Sequence, residues 1–192
     1  MCGRYVAEED KSIDLAALYR AVRADHPSAT LKSGEIYPTD TVPLLTGAGL
    51  IPRPGKWGFP GFDGKGVIIN ARAETAAQKP TFCDAFRAGR CIIPATGYFE
   101  WDPAKGKHLF SPASGGLLYM AGLFRPTPEG LRFVILTTPS EPVPVAAAIH
   151  HRMPVLLSAP SAKAWMEDMS FAVRRSAGAV TDDVHLLCMR VG

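Results

Sequence analysis

Short apolar runs, broken every few residues by glycine or proline, dominate this chain. Helical spacing is clearest near the amino terminus. Ser12 is placed to cap a helix running to about Asp25, with Ile13, Leu15, Ala16, Tyr19 and Val22 along one stripe. A second helix is predicted over Pro80–Ala88, where Phe82 and Phe86 stand four apart, and a third over Ser161–Asp168 around Ala164 and Trp165. The remaining apolar runs read as strands: Val42–Leu45, Val67–Ile69, Cys91–Ile93, Tyr98–Trp101, Leu117–Phe124, Arg132–Thr137, Val155–Leu157 and Val184–Cys188. Leu50 to Gly66, rich in glycine and proline, reads as an irregular surface loop. Many short strands with few helices predict an α+β fold. One domain over residues 1–192 is expected, with a mainly antiparallel, curved or barrel-like sheet and a few flanking helices.

Composition narrows the function classes. The chain has 192 residues, 47% of them hydrophobic, which suffices for one sizeable core. No apolar run is long enough to cross a membrane, and Glu8, Glu9, Asp10 and Lys11 arrive too early for a signal peptide. A cytoplasmic protein with no membrane partner is expected. The four cysteines, Cys2, Cys83, Cys91 and Cys188, are scattered without a CxxC pair, which argues against zinc. A net charge of +3 permits a nucleic-acid partner without demanding one.

Three stretches put polar groups where packing alone would not. In VIINARAET (residues 67–75), alternation places Asn70 and Arg72 on one face, suited to a phosphate or a carbonyl. The alternative is that Asn70 caps the following turn or helix. In CIIPATGYFEW (91–101), Glu100 lies between Phe99 and Trp101. If desolvated there, its pKa rises and it suits general acid–base work. Otherwise it is an edge-strand glutamate facing water. In AIHHRMPVLL (148–157), two histidines and an arginine precede an apolar strand. Adjacent histidines in an extended segment point to opposite faces, so His150 and His151 would not share a metal ion. No acidic cluster completes a ligand set, and neither metal nor cofactor is expected.

The opening MCGRY has two readings. Cys2 can be a small apolar residue at the start of a strand. Alternatively, removal of Met1 exposes an α-amine, which titrates at about 7.7–8.0, beside a thiol. Such a 1,2-aminothiol condenses with an aldehyde: the amine forms an imine, the sulfur adds to it, and a thiazolidine ring closes.

MCGRY, NARAET, GYFEW and His150-His151-Arg152-Met153-Pro154, in that order from Cys2 to about Leu157, resemble the SRAP (SOS-response-associated peptidase) family. The resemblance implies binding to single-stranded DNA containing abasic sites and a thiazolidine crosslink between Cys2 and the ring-opened sugar. By motif, Cys2 is the nucleophile, Asn70 orients cysteine and sugar, Glu100 transfers protons, and His150 acts as acid–base on a sugar hydroxyl. His151 falls where the family often has another polar residue and takes no role. Arg4, Arg72 and Arg152 would hold phosphates, and Trp57 and Gly58 match a WG segment that contacts bases. A monomer, nucleoid-associated in a bacterium, is expected.

The chain departs from the family in a compressed stretch after Trp57, where Phe62 stands in for a second tryptophan. It also lacks an asparagine in Ile36-Tyr37-Pro38-Thr39 and has a thinned basic run, Arg87-Ala88-Gly89-Arg90. Two other readings compete: a thiol peptidase acting on its own leading residue, and a reader of modified DNA in which Cys2 is only structural. Strand cleavage from the imine would be a minor lyase outcome.

Overall fold

The runs VPLL, CII and FVIL lack the alternation of a half-buried strand because both faces of their strands are covered. The structure is a computed structural model describing residues 2–61, 64–178, 182 and 184–191. Five strands pair in a closed circuit: Thr41–Thr46, Ile51–Trp57, Gly130–Pro139, Leu118–Thr127 and Arg90–Ala95, which returns to the first. All these pairings are antiparallel except that of Ile51–Trp57 with Gly130–Pro139. Alternate residues feed two cores. Val42, Leu44, Cys91, Ile93, Met120, Phe133 and Ile135 join the first. Leu45, Ile92, Ala121, Val134 and Leu136 join the second.

A five-stranded sheet covers the first core, in the order Leu186–Arg190, Lys107–Pro112, Gly97–Trp101, Arg4–Ala7, Gly34–Ile36. It contributes Tyr5, Tyr98 and Phe110. The helix Ile13–Asp25 adds Leu15 and Tyr19 to the same core. Its first turn is capped as expected, the Ser12 hydroxyl accepting from the Leu15 amide at 3.3 Å. Helices Cys83–Ala88, Ala159–Glu167 and Met169–Ser176 cover the second core with Phe86, Trp165 and Ala172. The architecture is thus α+β around a closed barrel. No helix among the described residues is long and apolar enough to cross a membrane.

The structure corrects several expected elements. Leu50–Gly66 is no irregular loop: Ile51–Trp57 is a full barrel strand in a hairpin with Thr41–Thr46. Pro52 and Pro54 are tolerated because pairing to Gly130–Pro139 starts only at Gly55, so the missing N–H groups break no ladder on that side. The second helix shortens to Cys83–Ala88 and the third starts earlier, at Ala159, capped by Ser158. The strand Lys107–Pro112 and the helix Met169–Ser176 are additional. Phe62 and Met1 lie outside the described residues.

Candidate active site

Cys2 enters the first core just ahead of the Arg4–Ala7 strand and is fully buried. That strand lies between Gly97–Trp101 and Gly34–Ile36, so the amino terminus is fixed on both sides. The side-chain amide of Asn70 donates to the Cys2 carbonyl at 2.8 Å. Asn70 therefore does not cap a helix: the turn that follows is capped from Arg72 with no side-chain bond. The strand Asn70–Arg72 runs parallel to Gly130–Pro139, with Ala71 buried and Arg72 exposed, which leaves Asn70 and Arg72 on one side as alternation requires. The Asn70 Oδ1 is buried and accepts no hydrogen bond among the described residues.

The Gly97–Trp101 strand is the middle one of its sheet, and Glu100 is only 3% exposed, which removes the edge-strand reading. Burial pushes the Glu100 carboxyl up to about 7, against the pull of the amino-terminal charge and His151. Burial, and then the charge of Glu100, push the Cys2 thiol well above its ordinary range, so the sulfur is held as S–H. The thiol donates to the Arg4 carbonyl at 3.6 Å. Tyr98, two residues before Glu100 and on the same face, and Tyr5 also belong to this buried group. Their hydroxyls have no hydrogen-bond partner among the described residues. Both tyrosines read in the sequence as ordinary strand aromatics, and nothing local marked them as neighbours of the thiol.

His150 lies in the bend between the short helix Pro144–Ala147 and the strand Arg152–Pro154. Its Nδ1 is 3.0 Å from the Arg152 amide nitrogen and 3.1 Å from the Arg152 carbonyl oxygen. Burial lowers its pKa, which favours the neutral imidazole. His151 does not point to the opposite face. The two rings stack at 4.4 Å and 29°, because the bend replaces the extended backbone on which the alternation argument rested.

Arg152 is buried rather than presented to solvent. Its guanidinium grips both carboxylate oxygens of Glu74, one at 3.0 Å, and reaches the Thr137 hydroxyl at 3.2 Å and the Thr137 carbonyl. With its two terminal nitrogens bonded inside the protein, Arg152 ties the histidine segment to NARAET and does not present its charge at the surface. Glu74 and Thr137 are thus site residues that the sequence did not single out.

Trp57 and Gly58 are likewise structural. Trp57 is fully buried, its ring edge-on to Tyr5 at 5.2 Å and stacked on Phe133 at 6.3 Å, and its Nε1 donates to the Ile69 carbonyl at 2.9 Å. No face is left for a base. Gly58 has φ +111°, and a Cβ there would sit 2.7 Å from Val67 Cβ, so the position requires glycine. Arg4 does reach the surface, ion-paired to Glu35 at 3.1 Å and lying over the rings of Tyr37 at 4.4 Å and Trp101 at 5.2 Å. Lys107 joins the same Glu35 at 2.8 Å. The aromatic surface around Arg4 is therefore the exposed Tyr37 and the partly exposed Trp101.

The structure thus brings Cys2, Asn70 and Glu100 together in and around one core and ties the His150 segment to the Asn70 segment. The family described as SOS response associated peptidase (SRAP) matches residues 1–189. The abasic site processing protein YedK of Escherichia coli is 33% identical over 178 residues, 86% of this chain and 79% of that protein. The abasic site processing protein YoqW of Bacillus subtilis is 39% identical over 109 residues, 52% of this chain. That match spans about half the length of this relative, 47%. A crystal structure of a Bacteroides thetaiotaomicron protein aligns with a TM-score of 0.79 at 23% identity, over 100% of this chain and 92% of its own. One from Bordetella bronchiseptica aligns with a TM-score of 0.75 at 25% identity over 100% of both chains. These two likenesses are of fold.

Proposed function

This chain belongs to the SRAP family, and from that premise we propose that it captures abasic sites in single-stranded DNA as a thiazolidine on Cys2 once Met1 is removed. The names of its relatives support an abasic-site substrate. The observation that carries the reading is the Asn70 bond to the Cys2 carbonyl, which holds the aminothiol backbone at a buried carboxyl poised near neutrality.

The α-amine of Cys2 attacks the C1 aldehyde of the opened sugar, and the carbinolamine loses water to give an imine. Glu100, with a pKa of about 7, supplies the proton to the leaving hydroxyl. The sulfur then adds to the imine carbon. Because burial keeps the thiol protonated, that proton must move as the C–S bond forms, and the ring nitrogen receives it. His150, with Nδ1 occupied by the Arg152 backbone, exchanges protons with a sugar hydroxyl through Nε2. Arg4 and Arg72 contact the flanking phosphates, and Tyr37 and Trp101 offer ring faces to neighbouring bases. The reaction so written draws on the groups of one chain, so a monomer suffices, and the reading places it with DNA in the cytoplasm.

The test is intact mass before and after mixing with single-stranded DNA holding one abasic site. The expected result is a protein lacking methionine that gains one heat-stable DNA adduct, lost in Cys2→Ala. A processed protein that forms no adduct overturns the reading. DNA-independent peptide cleavage would then point to a thiol peptidase, abasic-site binding that survives Cys2→Ala to a reader, and strand scission without adduct to a lyase.

A further inference from the structure

A second thiol array lies at the rim of the five-stranded sheet, and the chemistry above does not use it. Cys188 sits on the edge strand Leu186–Arg190, opposite Phe110, while His108 lies opposite Arg190. Alternation puts Cys188 and His108 on the same face. The His108 Nδ1 is 3.7 Å from the Cys188 sulfur, and its Nε2 is 2.9 Å from Asp102 Oδ2. The other carboxylate oxygen, Oδ1, accepts from the Gly106 amide at 2.8 Å within a tight turn. A Cβ at Gly106 would fall 2.6 Å from Oδ2, so glycine lets the turn close on the carboxylate. The His108 hydrogen bond and then the Gly106 amide hold the Asp102 carboxyl below its usual range, so it is ionised. One tautomer satisfies every contact: Nε2–H donates to Asp102 and Nδ1 accepts the S–H. This is the order nucleophile, base, orienting carboxylate.

We propose that Cys188 is a modification site, a thiol activated by the His108–Asp102 pair that exchanges with small-molecule disulfides. Half-burial raises the thiol pKa, so a resting thiolate is not stored and the proton must leave during attack. In that step His108 Nδ1 takes the proton, and the Cys188 sulfur bonds to one sulfur of the disulfide. The S–S bond breaks, and the departing thiolate takes the proton from the imidazolium. The products are a mixed disulfide on Cys188 and one free small thiol, so electrons balance without a further oxidant. Cys188 is half-buried against the first core, on the last described strand of the sheet, and its exposed fraction is what a small molecule meets. His108 lies directly opposite Glu100 on the neighbouring strand, so the two sites adjoin, but the exchange itself uses neither DNA, Cys2 nor Glu100.

The experiment treats the full chain with 2-hydroxyethyl disulfide, without DNA, and follows each cysteine by intact mass and peptide mapping. Cys83, half-buried elsewhere, is the internal reference. The expected result is capture at Cys188 that slows at least about tenfold in His108→Gln and in Asp102→Asn, with the Cys83 rate unchanged. Should His108→Gln fail to fold, seen as new reactivity at buried Cys2 and Cys91, Asp102→Asn decides. A Cys188 rate indifferent to these substitutions, or a Cys188 that stays unmodified while Cys83 reacts, overturns the proposal.

Discussion

The side-chain amide of Asn70 donates a 2.8 Å hydrogen bond to the carbonyl oxygen of Cys2, 68 positions away in the chain. In the proposed capture, the bond clamps the backbone of the residue whose amine and sulfur both reach one carbon. Asn70→Ala is expected to slow single-turnover crosslinking at least about tenfold while costing only about 1 kcal/mol of stability, the worth of one hydrogen bond. Non-covalent affinity for single-stranded DNA should hold. A denaturing-gel time course with urea unfolding separates these effects, and unchanged crosslinking would show that the clamp is not used.

Glu100 makes a pH prediction. Its carboxyl lies at about 7 when folded because burial disfavours the charge, against about 4.3 when unfolded. Its contribution to stability is fully present below the unfolded value and is lost as the pH rises through about 7. The size of the loss is about 4 kcal/mol. Glu100→Gln should therefore flatten the dependence of urea stability between about pH 5 and 8 and raise Tm most at the upper end. The same substitution should slow crosslinking and remove its decline above neutrality. Equal pH slopes in both proteins would mean that the carboxyl titrates normally.

Trp57 and Arg4 separate packing from DNA contact. Trp57→Phe keeps an aromatic ring against Tyr5 and Phe133 but loses the Ile69 hydrogen bond and leaves space behind. A cost of about 1–3 kcal/mol is expected with little change in DNA affinity. Arg4→Ala should cost little stability, since its Glu35 pair is half-exposed, yet weaken DNA binding and reduce the salt slope by about 1. Fluorescence anisotropy at several salt concentrations checks both, and the opposite pattern would return Trp57 to the DNA surface.

Glu74→Gln tests the link between NARAET and the histidine segment. The amide keeps one acceptor oxygen but turns an NH2 toward the Arg152 guanidinium, which stays buried without a neutralising charge. A loss of about 2 kcal/mol is expected, together with slower crosslinking because His150 is positioned by the Arg152 backbone. Calorimetry and single-turnover kinetics read the two effects. A stability loss without a rate change would confine the pair to a structural role.

The class of the fold was legible from the chain because apolar period, serine caps and glycine–proline breaks are local properties. So were Cys2, Asn70, Glu100 and His150 as candidates, because polar groups inside apolar runs stand out against their neighbours. What a polar or aromatic side chain touches was not legible, since that depends on residues tens of positions away. Arg152 and Arg4 look alike in sequence, yet one meets Glu74 and Thr137 inside the protein while the other lies over Tyr37 at the surface. Trp57 read as a base-contacting residue until barrel closure placed it between Tyr5 and Phe133. The hairpin through Pro52 and Pro54 was hidden because local propensity counts missing N–H groups without knowing that Gly130–Pro139 is not paired at those two positions. Closure of the barrel, and with it the partner of every buried polar group, is a long-range event that only the folded chain decides.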